Sequence, residues 1–184
     1  IHSNKFVYIN DKSKLKIKPK ADAIITNQKN FPIAVLTADC APILICDHKK
    51  KMIAAIHAGW KGAYKGIVLK VIKFMIKKGC NPKNITAVIG PCIAVENYEI
   101  KKDFIKTFLK KDEKNQIFFK RIKNNNYFNL NKYIYYQLKK LKVKNIDIIN
   151  KDTFDIKNNF FSARRSISRN EDDYGRNISI IMIN

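Results

Sequence analysis

The chain has 184 residues, with 37 Lys and Arg against 15 Asp and Glu, a formal net charge of +22. At 46% hydrophobic it can bury a sizeable core, which excludes a disordered chain, and no apolar run approaches the roughly 20 residues of a membrane helix. The lysines are scattered rather than clustered with arginine and aromatics, which argues against a nucleic-acid groove and for a solvated surface that attracts anions in general.

In chain order, Lys5 to Asn10 reads as a short strand closed by Asn10-Asp11, and a Lys-rich stretch follows. Ala21 to Thr26 reads as a strand or a helix start. Phe31 to Leu36, Pro42 to Cys46 and Met52 to His57 are apolar runs rich in β-branched residues, the pattern of buried strands. Gly62 to Lys78 carries Ile67, Val71, Phe74 and Met75 at helical spacing, with Gly79 as its stop. Ile85 to Ile89 is the next strand, ended by Gly90-Pro91. Helices are expected near Lys101 to Lys110 and Asn131 to Lys140, and strands at Ile117 to Ile122, Ile146 to Asn150 and Arg176 to Ile183. Consecutive strands early and mixed elements later predict one α/β (α+β) domain, with layered mixed β-sheets flanked by helices. Because the chain opens on Ile1 and not Met, residues upstream are expected to be missing.

Three segments place reactive groups at predicted strand ends. In Thr37-Ala38-Asp39-Cys40-Ala41-Pro42 a thiol sits beside a carboxylate between apolar runs. His57-Ala58-Gly59-Trp60-Lys61-Gly62 runs from a strand into a helix whose free N–H groups attract anions. His2-Ser3 opens the chain. Two imidazoles and a thiolate are good zinc ligands, and three of them leave a fourth position for substrate. His2, Cys40 and His57 could supply that set if their strand ends converge; from spacing alone, a Cys or His at a strand end is more often a structural residue. Cys80 and Cys92 read as structural, and His48 as exposed and inert. Four cysteines without a C-x-x-C pair suggest a reduced, cytoplasmic protein.

The stretches Thr37–Asp47, Ala54–Gly62, Ile89–Ile93 with Tyr98-Glu99, Phe160–Arg165 and Tyr174–Asn177 resemble, in order and across nearly the whole chain, the signature series of the YfiH-type proteins. The D-C-x-P and H-A-G-W elements together are specific to that family. The resemblance implies a metal centre of His2, Cys40 and His57, holding zinc or copper, with Cys40, His57 and Asp39 as the candidate catalytic groups. It also implies a function: phosphorolysis of purine nucleosides (adenosine, inosine, guanosine or methylthioadenosine) with inorganic phosphate as co-substrate, and adenosine deamination at the same pocket. In deamination Asp39 is the candidate acid–base group beside a metal-activated water. The family also carries polyphenol-oxidase, laccase and peptidoglycan-editing labels.

Three histidines are too few for a multicopper cluster, which favours one mononuclear site. Arg164, Arg165 and Arg176 are three of only five arginines, and arginine gives planar bidentate phosphate contacts, so each is a phosphate candidate as well as a surface ion-pair candidate. Trp60 reads as a packing residue. Ala163 stands where the family has Tyr, Asp152 stands where it has Cys before Thr153, and the loop Ser166 to Asp173 is longer. Members also carry more chain ahead of the first ligand. Open alternatives are a metal-dependent polyphenol oxidase, a cysteine hydrolase with Cys40 as nucleophile and His57 as base, and a basic non-catalytic nucleic-acid binder. The expected state is a monomer or homodimer that does not engage a membrane.

Overall fold

The computed structural model describes residues 2–11 and 20–184; the expected Lys-rich stretch after Asp11 falls mostly outside them. Six strands make the central sheet: β1 (Phe6–Ile9), β2 (Ala23–Thr26), β4 (Ala41–Asp47), β5 (Met52–Ala58), β6 (Ile85–Ile89) and β10 (Asn145–Ile148), in the order β1-β2-β5-β4-β6-β10. The outer pairs β1–β2 and β6–β10 are parallel, and the inner contacts are antiparallel. β3 (Ile33–Thr37) and β11 (Asn177–Ile181) form an antiparallel pair, and β7 (Glu99–Ile100), β8 (Phe119–Ile122) and β9 (Asn125–Phe128) a three-stranded sheet.

Alternation along the central strands explains why their sequences are apolar throughout. Ile43 and Ile45 of β4 and Met52, Ala54, Ile56 and Ala58 of β5 join the main core with helices α2 (Ile67–Lys77) and α4 (Leu130–Lys140). The intervening Ile53 and Ala55, with Leu44 and Cys46 beside them, pack against Ile33 and Val35 of β3. Both faces of the strands are covered, so neither needs polar residues. By the same alternation His57 leaves β5 on the side of the small sheet, opposite Pro42 of β4.

The layered α+β architecture agrees with the expectation, and the differences are local. The single helix expected over Gly62 to Lys78 is two, α1 (Trp60–Tyr64) and α2, because Gly66 takes the left-handed conformation (φ 82°) between them. Gly79 (φ 92°) does end α2, and Cys80 N–H returns to Met75 C=O. The strand expected from Ile117 starts only at Phe119, since 113–118 is a 3₁₀ turn. β7, β9 and the short helix α5 (Ala163–Ser168) were not expected; β9, Asn-Asn-Tyr-Phe, is polar where a strand pattern would be apolar. Helix α3 (Lys102–Lys111) contributes Phe104 and Phe108 to an aromatic cluster with Phe119, Phe128 and Tyr133, which joins the three-stranded sheet to the helices. Among the described residues no helix is long and apolar enough to cross a membrane.

Candidate metal centre

Remote in sequence, His2, Cys40 and His57 meet at one point: one ligand atom from each lies within 4.8 Å of the others. Cys40 Sγ stands 3.6 Å from His2 Nε2, and the two imidazole centroids are 5.1 Å apart. Ligands at ~2.3 Å (sulfur) and ~2.0–2.1 Å (nitrogen) around a tetrahedral ion are separated by about 3.6 Å, so the donor types and the Cys40–His2 distance fit zinc or a similar divalent ion. Of the described residues, this is the one group of three ligating side chains close enough to hold a metal.

Each of the three side chains is delivered by a distinct device. Cys40 follows Asp39, whose φ of 77° is unusual for a residue with a Cβ. That conformation is held by its own carboxylate. Thr153 Oγ1 donates to Oδ1 at 2.7 Å, the Arg164 backbone N–H donates to Oδ2 at 2.6 Å, and the Ile93 N–H donates to its C=O. His57 stands at the end of β5, where its Nδ1 lies 3.0 Å from Oδ1 of buried Asp22. His2 sits on an exposed arm that crosses α1 at Gly62. A side chain there would meet Ser3 O at 2.9 Å, so only glycine lets the arm pass.

Without a metal, burial holds both the thiol and the inner imidazole neutral, so a cation must displace the thiol proton to bind. Burial pushes the Cys40 thiol up to about 12, reinforced by the carboxylates of Asp39 and Asp22, so without a cation it stays protonated. Burial also pushes His57 down, only partly opposed by Asp22, which favours the neutral imidazole a metal requires. For Asp22 burial acts against ionisation, yet the hydrogen bonds from Ser3 and His57 outweigh it and hold the carboxyl down at about 2. Asp22 was not among the expected site residues. Its signal in the sequence is slight, a lone carboxylate at the head of the apolar run Ala23–Thr26.

Beside the centre lies a cleft of about 480 Å³ lined by Trp60, Tyr98, Phe104, Lys101 and Arg164, among others. Trp60 follows Gly59, which abuts Cys40, and packs on Phe104 with ring centroids 4.8 Å apart. The Arg164 guanidinium lies over the Tyr98 ring at 5.6 Å and donates to Glu99 C=O. Burial pushes the Tyr98 hydroxyl up, and the neighbouring Cys40 adds to this.

The three arginines occupy different settings. Arg164 faces the cleft. Arg165 donates to the carbonyls of Thr153, Phe154 and Phe160, closing the loop ahead of α5. Arg176 is exposed, stacked on Tyr174 at 3.9 Å. Asp152, in the position where the family has Cys, accepts from Ala94 N–H, Asn97 and Phe154 N–H and so fixes the loop after β6. Cys92 is buried and donates to Asn131, Cys80 is buried near Met52, and His48 is exposed, as expected of groups outside the site.

A family model described as multi-copper polyphenol oxidoreductase laccase matches residues 1–184. A purine nucleoside phosphorylase of Rickettsia conorii is 40% identical over 180 residues, 97% of this chain and 73% of that protein. One from Haemophilus influenzae is 33% identical over 165 residues, 88% of this chain and 64% of its own length. The crystal structure of YfiH from Bacillus licheniformis superposes with a TM-score of 0.88 at 25% identity, over 100% of this chain and 72% of that one.

Proposed function

Since the chain belongs to this YfiH-type, laccase-described family, we propose that it is a purine nucleoside phosphorylase with a mononuclear zinc centre at His2, Cys40 and His57. One observation carries the reading: an N₂S set of donors within 4.8 Å of one another, beside an aromatic cleft that holds a single arginine. Relatives named purine nucleoside phosphorylase support the reaction class.

In this reading the aromatic cleft receives the purine, whose flat face suits Trp60, Tyr98 and Phe104. Arg164 and Lys101 draw inorganic phosphate to the same cleft. Of the three arginines, Arg164 is the one placed to touch it; Arg165 already serves three carbonyls, and Arg176 stacks on Tyr174. In the reaction a phosphate oxygen bonds to the ribose C1′ as the C1′–N bond breaks, and the electron pair leaves with the purine. A divalent metal at the triad would supply Lewis acidity for this chemistry and for adenosine deamination as a second activity. Asp39, whose two oxygens are engaged by Thr153 and Arg164, holds the Cys40 turn against the cleft; we assign it a positioning role in place of acid–base work. We read the 184 residues as one YfiH-like domain working in the cytoplasm, where the Cys40 ligand stays reduced.

A cysteine hydrolase fits less well, because burial holds the Cys40 thiol at about 12 and leaves no thiolate to attack at neutral pH. A multicopper oxidase needs more imidazoles than the chain's three. Incubating the whole zinc-loaded protein with adenosine and phosphate should yield adenine and ribose 1-phosphate, with inosine where deamination competes. No nucleoside turnover, or phenol oxidation that requires several coppers per chain, would overturn the reading.

A further inference from the structure

We propose that Asp22 is a positioning residue that holds both histidine arms of the metal centre at once, one carboxylate oxygen for each. The inference rests on the metal-centre reading and extends it to a residue that is not itself a ligand.

The Asp22 side chain is only 1% exposed, yet each oxygen has a partner tied to a different ligand. Oδ1 takes the Nδ1 side of His57 at 3.0 Å, and Oδ2 accepts the backbone N–H of Ser3, the residue next to His2. Its main chain adds two further ties: the C=O accepts His57 N–H at 2.7 Å, and the N–H donates to Lys5 C=O at 3.0 Å. An ionised carboxylate can only accept, so it places the His57 proton on Nδ1 and leaves the Nε2 lone pair for a metal. The second oxygen acts on His2 differently. His2 is exposed, and ordering an exposed arm costs conformational entropy unless its backbone is tied down. The Ser3–Asp22 bond ties it one residue from the ligand, and the Gly62 crossing and the bond from Asn4 Nδ2 to Lys65 C=O secure it further along.

Asp22→Asn separates this role from plain structural support. The amide has one acceptor oxygen where two donors need one, so either Ser3 N–H faces an NH₂ group or His57 is driven to the opposite tautomer. The test strips the whole protein of metal and titrates it with Zn²⁺ against a chromophoric chelator, then with Co²⁺ for its d–d and sulfur charge-transfer bands. Asp22→Asn should bind Zn²⁺ about 10–100-fold more weakly, and its Co²⁺ spectrum should shift in the d–d region while the sulfur band persists. An unchanged affinity and spectrum, with only the metal-free melting temperature lowered, would show a merely structural residue and overturn the proposal. Wild-type protein that takes up neither ion would instead overturn the metal-centre reading, and this inference with it. If the variant does not fold, ¹⁵N NMR of the wild-type imidazoles decides: a proton on Nδ1 of His57 supports the proposal, and a proton on Nε2 in the metal-free neutral ring overturns it.

Discussion

Gly59 touches Cys40 so closely that a Cβ at position 59 would lie 2.6 Å from the Cys40 sulfur and 3.0 Å from Cδ2 of His2. The glycine of His-Ala-Gly-Trp therefore does more than permit a turn into α1, because its missing side chain is the space that Cys40 and His2 occupy. Gly59→Ala should push the sulfur aside and weaken Zn²⁺ binding at least tenfold, with an overpacking cost of about 1–3 kcal/mol in the unfolding free energy. Chelator competition and urea titration of the same samples measure both effects.

Asp39 makes a contrasting case, because its contribution is to the backbone. Asp39→Asn tolerates the left-handed conformation but cannot accept from both Thr153 and Arg164 N–H. It should cost about 1.5–3 kcal/mol, the range for a hydrogen bond to a charged group. Asp39→Ala loses both bonds and adds backbone strain, so it should cost more. Denaturant midpoints measured at constant m-value give the comparison.

The arginines should separate by measurement. Arg164→Ala should raise the KM for phosphate about tenfold or more, the equivalent of roughly 1.4 kcal/mol of lost binding, with little change in stability. Arg165→Ala should instead destabilise the fold by about 1.5–3 kcal/mol, since three carbonyls lose their donor. Arg176→Ala should leave both nearly unchanged. Phosphate saturation curves at fixed adenosine, paired with thermal melts, distinguish the three.

Two pH effects follow with defined signs. A carboxyl held at about 2 in the fold and near 3.9 when unfolded stabilises the protein above the higher value, and that contribution fades as pH falls through the lower one. Metal-free protein should therefore lose stability between about pH 4 and 2, and Asp22→Asn should flatten that part of the curve. Metal binding has the same sign at higher pH. Since the free Cys40 thiol is protonated up to about 12 and burial keeps His57 neutral, uptake at neutral pH should release about one proton, and affinity should rise about tenfold per pH unit. Calorimetry in buffers of different ionisation enthalpy counts that proton.

The sequence makes the central sheet legible because β4 and β5 are apolar on both faces, and a doubly covered strand can hardly read otherwise. It left β9 unread because Asn-Asn-Tyr-Phe has no such pattern and pairs only within a small outer sheet. Gly66 breaks the expected helix because it takes a left-handed conformation, and a glycine within a helical pattern does not by itself announce that. Cys40 and His57 could be named as candidate ligands because each stands in a distinctive short segment of the resemblance, and His2 through His2-Ser3 alone. Asp22 and Thr153 could not, because a carboxylate or hydroxyl that serves a site through hydrogen bonds leaves no motif beyond a polar residue near an apolar run. Their roles exist only once β2 lies beside β5 and the 153 loop lies under Asp39.

X-ray absorption on the zinc-loaded whole protein, with metal content measured on the same sample, tests the convergence of the two imidazoles and the thiolate most directly. One zinc per chain, with a single sulfur at ~2.3 Å and nitrogen or oxygen neighbours at ~2.0–2.1 Å, is the expected result, and Cys40→Ala should abolish the sulfur shell. A zinc shell without sulfur in the unaltered protein, or several metals per chain, would contradict it.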